Sequence, residues 1–185
     1  MKIIGITGTI GAGKGTIVDY LVKHHGFKHF SVRGYLSEFL KKSGKHVNRD
    51  SLTQLANELR SKNSPSFIAE ELYKVALKSG TDCIIESIRN VGEIQALKLK
   101  GDFILFSVDT DRRIRYERIL KRGSETDHVS YDTFTESEEK EMTSTDPNKQ
   151  NLSACMKLAE SHITNNGSFE ELYLEVDKAI KNTLA

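Results

Sequence analysis

Gly8-Thr9-Ile10-Gly11-Ala12-Gly13-Lys14-Gly15-Thr16 is the stretch on which the reading of this chain turns. Before it runs Lys2-Ile3-Ile4-Gly5-Ile6-Thr7, a short β-rich segment. After it, 14–25 has helical periodicity, with Ile17, Val18, Leu21 and Val22 expected to face inward. Gly8, Gly13 and Lys14 have the spacing of a loop that cradles phosphates, and Gly11 and Gly15 strengthen it. Such a loop turns backbone N–H groups into a concavity that side chains would obstruct. The helix that follows adds its positive N-terminal end, and Lys14 adds a point charge. The strand before and the helix after make the signal specific, because a glycine-rich turn elsewhere would carry little.

Outward from the loop, apolar runs and helical periods alternate, which predicts an α/β fold with a mostly parallel, buried sheet. Strands are expected at 2–7, 28–32, 82–86, 103–108 and 161–164. Helices are expected at 14–25, 33–42, 49–62 and 91–99, and again at 111–122, 132–142 and 150–159, with a last one from Ser168. Asn48 or Ser51 caps the helix at 49–62. Ser64 followed by Pro65 opens a helix that runs to about Lys78 and ends at Gly80. Asp109 reads as a cap for 111–122. The stretch 123–150 is polar and poor in apolar residues, and reads as a mobile surface segment with one short helix.

At 185 residues the chain predicts one domain, 1–185. Its formal charge of +1 argues against binding nucleic acid through bulk positive potential, while leaving room for a local basic pocket. No apolar run is long enough for a membrane span or a secretion signal, so a cytoplasmic protein without a membrane partner is expected. Cys83 and Cys155 lie in apolar contexts without metal spacing and read as buried, reduced thiols. The six histidines show no metal-ligand spacing either.

One departure from the usual phosphate loop is informative. The position after Lys14 is commonly Ser or Thr, whose hydroxyl ligates magnesium, but here it is Gly15, with Thr16 one step later. The order Gly-x-x-Gly-x-Gly-Lys-Gly-Thr resembles the adenylate kinase-like nucleoside and deoxynucleoside monophosphate kinases. Ile10 stands where adenylate kinases themselves commonly have proline, so that enzyme is not implied. The resemblance implies a three-layer α/β/α P-loop NTPase fold with five parallel strands. It also implies a helical acceptor-binding insert at about 33–80 and a lid at about 122–145.

The same resemblance suggests roles for residues further along. Gly8, Gly11, Ala12, Gly13, Lys14, Gly15 and Thr16 would hold ATP. Glu86-Ser87-Ile88-Arg89 resembles the Asp-Gly-x-x-Arg segment, in which the acid serves Mg2+ and the arginine grips the acceptor phosphate. Glu86 and Thr16 would hold Mg2+, largely through water. A structural salt bridge is the plainer alternative for Arg89. Arg33 and Arg60 are further acceptor-binding candidates, each also readable as an ordinary surface arginine. Five arginines crowd 112–122, and Arg115, Arg118 and Arg122 share a face. Arg118 to Arg122 resembles the Arg-x-x-x-Arg entry to a lid, where one arginine packs on the ATP base and another stabilises the transferring phosphoryl, and both are candidates for stabilising that group. The turn Ala159–Gly167, including Asn166, resembles the segment of dephospho-CoA kinases that lies against the ATP base, and reads equally well as a plain strand-to-helix turn.

The implied activity is transfer of the γ-phosphoryl of ATP to a nucleoside or deoxynucleoside monophosphate, with a small-molecule nucleotide acceptor as partner. Dephospho-CoA kinase is the nearest rival. A regulatory nucleotide-binding ATPase without turnover and a nucleic-acid end kinase are the others. The oligomeric state stays open, and a monomer is compatible.

Overall fold

The computed structural model describes residues 1–124 and 127–184. Among them the elements run β1 (Ile3–Gly8), α1 (Lys14–His25), β2 (Lys28–Ser31), α2 (Val32–Lys42), α3 (Arg49–Lys62), α4 (Phe67–Ser79) and β3 (Cys83–Glu86). There follow α5 (Val91–Lys98), β4 (Phe103–Asp109), α6 (Arg112–Arg122), α7 (Tyr131–Met142), α8 (Leu152–Lys157), β5 (Ser161–Thr164) and α9 (Phe169–Leu184). All strand pairs are parallel, in the order β2-β3-β1-β4-β5.

The central position of β1 follows from its composition, since every residue of Ile3–Gly8 is buried and both faces are covered. Alternate side chains then point to opposite faces. Ile3, Ile85 and Leu105 enter a core with α2, α3, α4 and α5, while Ile4, Ile6, Ile84, Phe106 and Val108 enter a second core with α1 and α9. The result is the three-layer α/β/α arrangement expected from the alternating pattern. Cys83 and Cys155 are free and buried, and burial pushes their thiols up to about 11 and about 12. No helix among the described residues is long and apolar enough to cross a membrane.

Several local expectations need correction. Val22 is exposed, because the buried stripe of α1 is narrow and comprises Ile17, Val18 and Leu21 besides Lys14. Pro65 lies in a turn closed by the Phe67 N–H on the Ser64 carbonyl, so α4 starts later, after Ser66. Asp111 caps α6, since Asp109 is still in β4 and its carboxylate accepts from the Thr9 hydroxyl and the Thr110 N–H. Asn151 caps α8, which is shorter than its apolar pattern suggested. Asn48 and Ser51, each named as a cap for α3, act together in one reciprocal capping box.

The stretch at 123–150 differs most from its sequence. Residues 125 and 126 of the expected lid lie outside the described residues. Beyond them α7 is docked rather than laid loosely on the surface, with Phe134, Glu138 and Glu141 all buried. Tyr116 and Tyr131 pack their rings around Phe134, and the Arg115 guanidinium lies 5.7 Å from the Phe134 ring centre.

Candidate functional site

The loop between β1 and α1 opens at the carboxyl edge of the sheet, where ligands collect in open α/β folds. Three glycines there, Gly8, Gly11 and Gly13, have positive φ and no room for a Cβ. Gly8 has φ +140°, and a Cβ on it would stand 2.0 Å from the Val108 carbonyl oxygen. Gly13 has φ +96°, and its Cβ would stand 2.2 Å from Asn165 Nδ2. Gly11 lies against the Arg115 backbone, whereas a Cβ on Gly15 would meet nothing within 4 Å. Ala12 is buried, and its carbonyl accepts from Asn165 Nδ2 at 2.8 Å. Lys14 curls back so that Nζ donates to the Gly8 and Thr9 carbonyls at 2.9 and 2.8 Å. Burial is the main reason its ammonium pKa falls to about 8, with Arg89 and Arg122 adding repulsion against the pull of Glu86 and Glu141. A concavity of backbone donors around a desolvated ammonium fits a polyphosphate. Thr16 is half-buried on the first turn of α1.

Glu86 ends β3 in register with Ile6 of β1 and Ser31 of β2. Burial opposes its ionisation, but the hydrogen bond from His29, the Lys14 charge and the hydrogen bond from Ser87 together outweigh burial and hold its pKa near 2. Its two oxygens are already engaged, Oε2 with His29 Nε2 at 3.3 Å and Oε1 with the Ser87 hydroxyl at 2.9 Å. An ionised carboxylate whose two oxygens each already accept a hydrogen bond suits a hydrated cation held through water better than a directly coordinated one. Ser87 has φ +71°, the one described non-glycine in left-handed backbone, and this turn redirects the chain from the strand toward Arg89.

Beside the loop, α2, α3, the β3 edge and α7 enclose a small cleft of about 70 Å³ whose polar lining includes Arg33, Arg49, Arg60, Arg89, Glu141 and Gln150. Arg33 projects just beyond the Ser31 cap of α2, and burial, then Arg122 and Arg89, lower its pKa. Arg60 is not a surface arginine. Its side chain is 1% exposed and Nη2 donates to Glu93 Oε1 at 2.9 Å, yet Nε and Nη1 have no hydrogen-bond partner. Glu93 also accepts from the Arg89 and Asn90 N–H groups, so one buried carboxylate positions Arg60 and the backbone that carries Arg89. Arg89 donates through Nη1 to Glu141 Oε2 at 2.5 Å and to Gln150 Oε1 at 3.2 Å.

Three of the α6 arginines, Arg112, Arg115 and Arg122, meet anions supplied by the chain itself. Arg115 is buried between the loop and α7, donating to the Ile10 and Thr110 carbonyls and to Glu138. Arg118 donates to the Asn165 carbonyl at 3.0 Å, and Arg122 forms two 2.7 Å hydrogen bonds to Asp127. Burial of Asp127 resists ionisation, but Arg122 and Ser124 override it and hold the pKa near 2. Asn166 accepts from the Asp111 N–H through Oδ1, so in the turn 159–167 it is Asn165, not Asn166, that touches the phosphate loop.

The structure therefore brings Lys14, Glu86, Arg33, Arg89 and Arg122 within electrostatic reach of one another, and sets Arg60 in the wall of the same cleft. Sequence reasoning missed Arg49, Glu141, Gln150 and Asn165. The cap at Asn48 places Arg49 on the first turn of α3, but no local signal directs it at a partner 92 residues away.

This chain is 26% identical over 189 residues to a UPF0200 protein of Thermococcus kodakarensis, across 99% of this chain and 98% of the relative. Among solved structures it is similar to a putative kinase from Chloroflexus aurantiacus, with TM-score 0.60, 16% identity and coverage of 98% and 97% of the two chains. A gluconokinase from Sinorhizobium meliloti has TM-score 0.58 and 11% identity over 98% of this chain and 94% of its own. At such identities the likeness concerns the fold alone. Residues 4–144 match the family described as AAA domain, a span that includes the phosphate loop and the arginines of the cleft. By that match the chain belongs to the AAA domain family.

Proposed function

We propose that this chain is an ATP- and magnesium-dependent phosphotransferase that moves the γ-phosphoryl of ATP to the phosphate of a nucleoside or deoxynucleoside monophosphate. The observation that carries the reading is the cleft containing Arg33, Arg49, Arg60 and Arg89 directly beside the Lys14 loop. An arginine fork suits a phosphate better than a point charge does, and four such groups beside a polyphosphate cradle favour an anionic acceptor. The gluconokinase and the putative kinase of similar fold support the reaction class.

In this reading the glycines and Ala12 of the loop cradle the donor phosphates, with Asn166 near the donor base. Lys14, Arg118 and Arg122 join Arg89 in neutralising the transferring group, and Arg33, Arg60 and Arg89 hold the acceptor. Glu86 and Thr16 would hold magnesium through water, and that ion would supply charge neutralisation on the phosphates. Helices α2 to α4 form the acceptor side, and residues 122–145 serve as the lid that excludes water. The acceptor oxygen is already ionised. It forms the new bond to the γ-phosphorus as the bond to the bridging oxygen breaks and ADP departs, so positioning and charge do the catalysis. A hydroxyl acceptor such as that of dephospho-CoA needs a base near neutral pH. At the end of β2 and just after it, where an acidic base would serve such an acceptor, this chain has Ser31, Val32 and Arg33.

The test is ADP formation with ATP and magnesium across ribo- and deoxynucleoside monophosphates and dephospho-CoA, with Lys14→Ala as control. Turnover with one monophosphate, lost in the control, is expected. Turnover with dephospho-CoA alone, or ATP binding with no acceptor-dependent ADP, would overturn the proposal.

A further inference from the structure

Within the cleft, a carboxylate already sits where an acceptor's anionic group would go. Arg49 donates through Nε and Nη2 to Glu141 Oε1 at 3.1 and 3.0 Å, and Arg89 donates to Glu141 Oε2 at 2.5 Å. Each carboxylate oxygen therefore answers one guanidinium, the arrangement in which paired arginines grip a phosphate. The charge does not balance, because two cations face one anion. A phosphomonoester dianion would match both and offers a third oxygen. Glu141 is the one acid among the described lining residues, and it comes from α7, not from the elements that carry the arginines.

The space left with Glu141 in place is about 70 Å³. Pockets for small molecules start at roughly 300 Å³, so an acceptor enters only if something yields. Arg60 adds an independent sign that the cleft is built for a polar guest, with Nε and Nη1 unpartnered on a side chain 1% exposed. Removing Glu141 would not free α7 completely, since Phe134 and the Glu138–Arg115 pair hold the same helix further back.

We propose that Arg49 and Arg89 form a subsite for a phosphomonoester dianion and that Glu141 is its built-in occupant, so that the acceptor phosphate binds by displacing Glu141 and releasing the end of α7. This rests on the acceptor cleft proposed above, but it requires only anion binding and not turnover. If Glu141 fills the subsite nine-tenths of the time, it weakens the apparent affinity about tenfold.

Inorganic phosphate is the probe, titrated calorimetrically into the full chain with ADP and magnesium present to fill the loop. Glu141→Gln should bind phosphate about tenfold more tightly than the unaltered chain, and Arg49→Gln at least tenfold more weakly. In the unaltered chain, phosphate should speed amide exchange at the C-terminal end of α7. An affinity in Glu141→Gln within threefold of the original, or weaker, would overturn the proposal, as would exchange in α7 that phosphate leaves unchanged or slows. Should Glu141→Gln fail to fold, the exchange measurement on the unaltered chain and the Arg49→Gln titration still decide. A chain that passes these tests yet turns over no acceptor keeps the subsite and loses the kinase reading. A working kinase indifferent to Glu141→Gln does the reverse.

Discussion

The phosphate loop and the arginine cleft share one edge of the sheet but are held by different forces. The loop is organised by backbone. Gly8 and Gly13 occupy left-handed conformations that no side chain would fit, and the Lys14 ammonium rests on carbonyls five and six residues before it. The cleft is organised by charged side chains that meet from distant parts of the chain, in the pairs Arg60–Glu93, Arg49–Glu141 and Arg89–Glu141. Backbone geometry is specified locally and yields little. Ion pairs exchange partners at modest cost wherever a competing anion arrives. The rigid half therefore suits an invariant donor, and the paired half suits an acceptor that must enter, be gripped and leave.

Removing one partner of the buried pair should strike the cleft hardest. Glu93→Ala leaves the Arg60 guanidinium buried without its carboxylate and strips the α5 capping box, so a loss of about 3–5 kcal/mol in denaturant unfolding is expected. A loss below 1 kcal/mol would mean that the cleft does not depend on charge pairing. Lys14→Ala should instead spare the fold and reduce phosphoryl transfer about 100- to 1000-fold. If stability falls with activity, the loop too depends on a side chain, and the contrast weakens.

The pH dependence sharpens the same distinction. The ligand-free Lys14 pKa is lowered to about 8, and a bound polyphosphate would raise it. Binding should therefore take up a proton above pH 8, and ADP affinity should fall about tenfold per pH unit until the pKa of the complex is reached. Calorimetry in buffers of different ionisation enthalpy reads that uptake directly, and its absence at pH 9 would remove Lys14 from the phosphate site. The smallest effect is expected from Gly15→Ser. A Cβ there meets nothing within 4 Å, so folding should be unaffected, and the added hydroxyl should lower the magnesium needed for half-maximal rate about threefold. An unchanged magnesium requirement would place the ion beyond reach of that position.

Much of the fold was legible because it is written in short-range pattern. The continuous apolar run of β1, the helical stripe of α1 and the cap at Asn48 all act within a few residues. The docking of α7 was illegible for the opposite reason. Its sequence is polar, so it reads as a surface segment, but Glu138 and Glu141 are buried against arginines that only the fold brings near. The crowd of arginines on α6 posed a question that the sequence left unanswered, and the answer lies in Glu138, Asp127 and the Asn165 carbonyl.

The sequence by itself determined the phosphate loop, the order of strands and helices along the chain, and the places of Glu86 and Arg89 on the strand end and the turn after it. Backbone conformation and period-based burial are local properties, so one chain suffices to read them. Only the tertiary structure decided which charges meet. It joined Asn165 to Ala12 across 153 residues, Arg49 to Glu141 across 92 and Arg60 to Glu93 across 33. A charged side chain has no preferred partner until the fold removes water from around it, and burial then makes an unpaired charge too costly to leave alone.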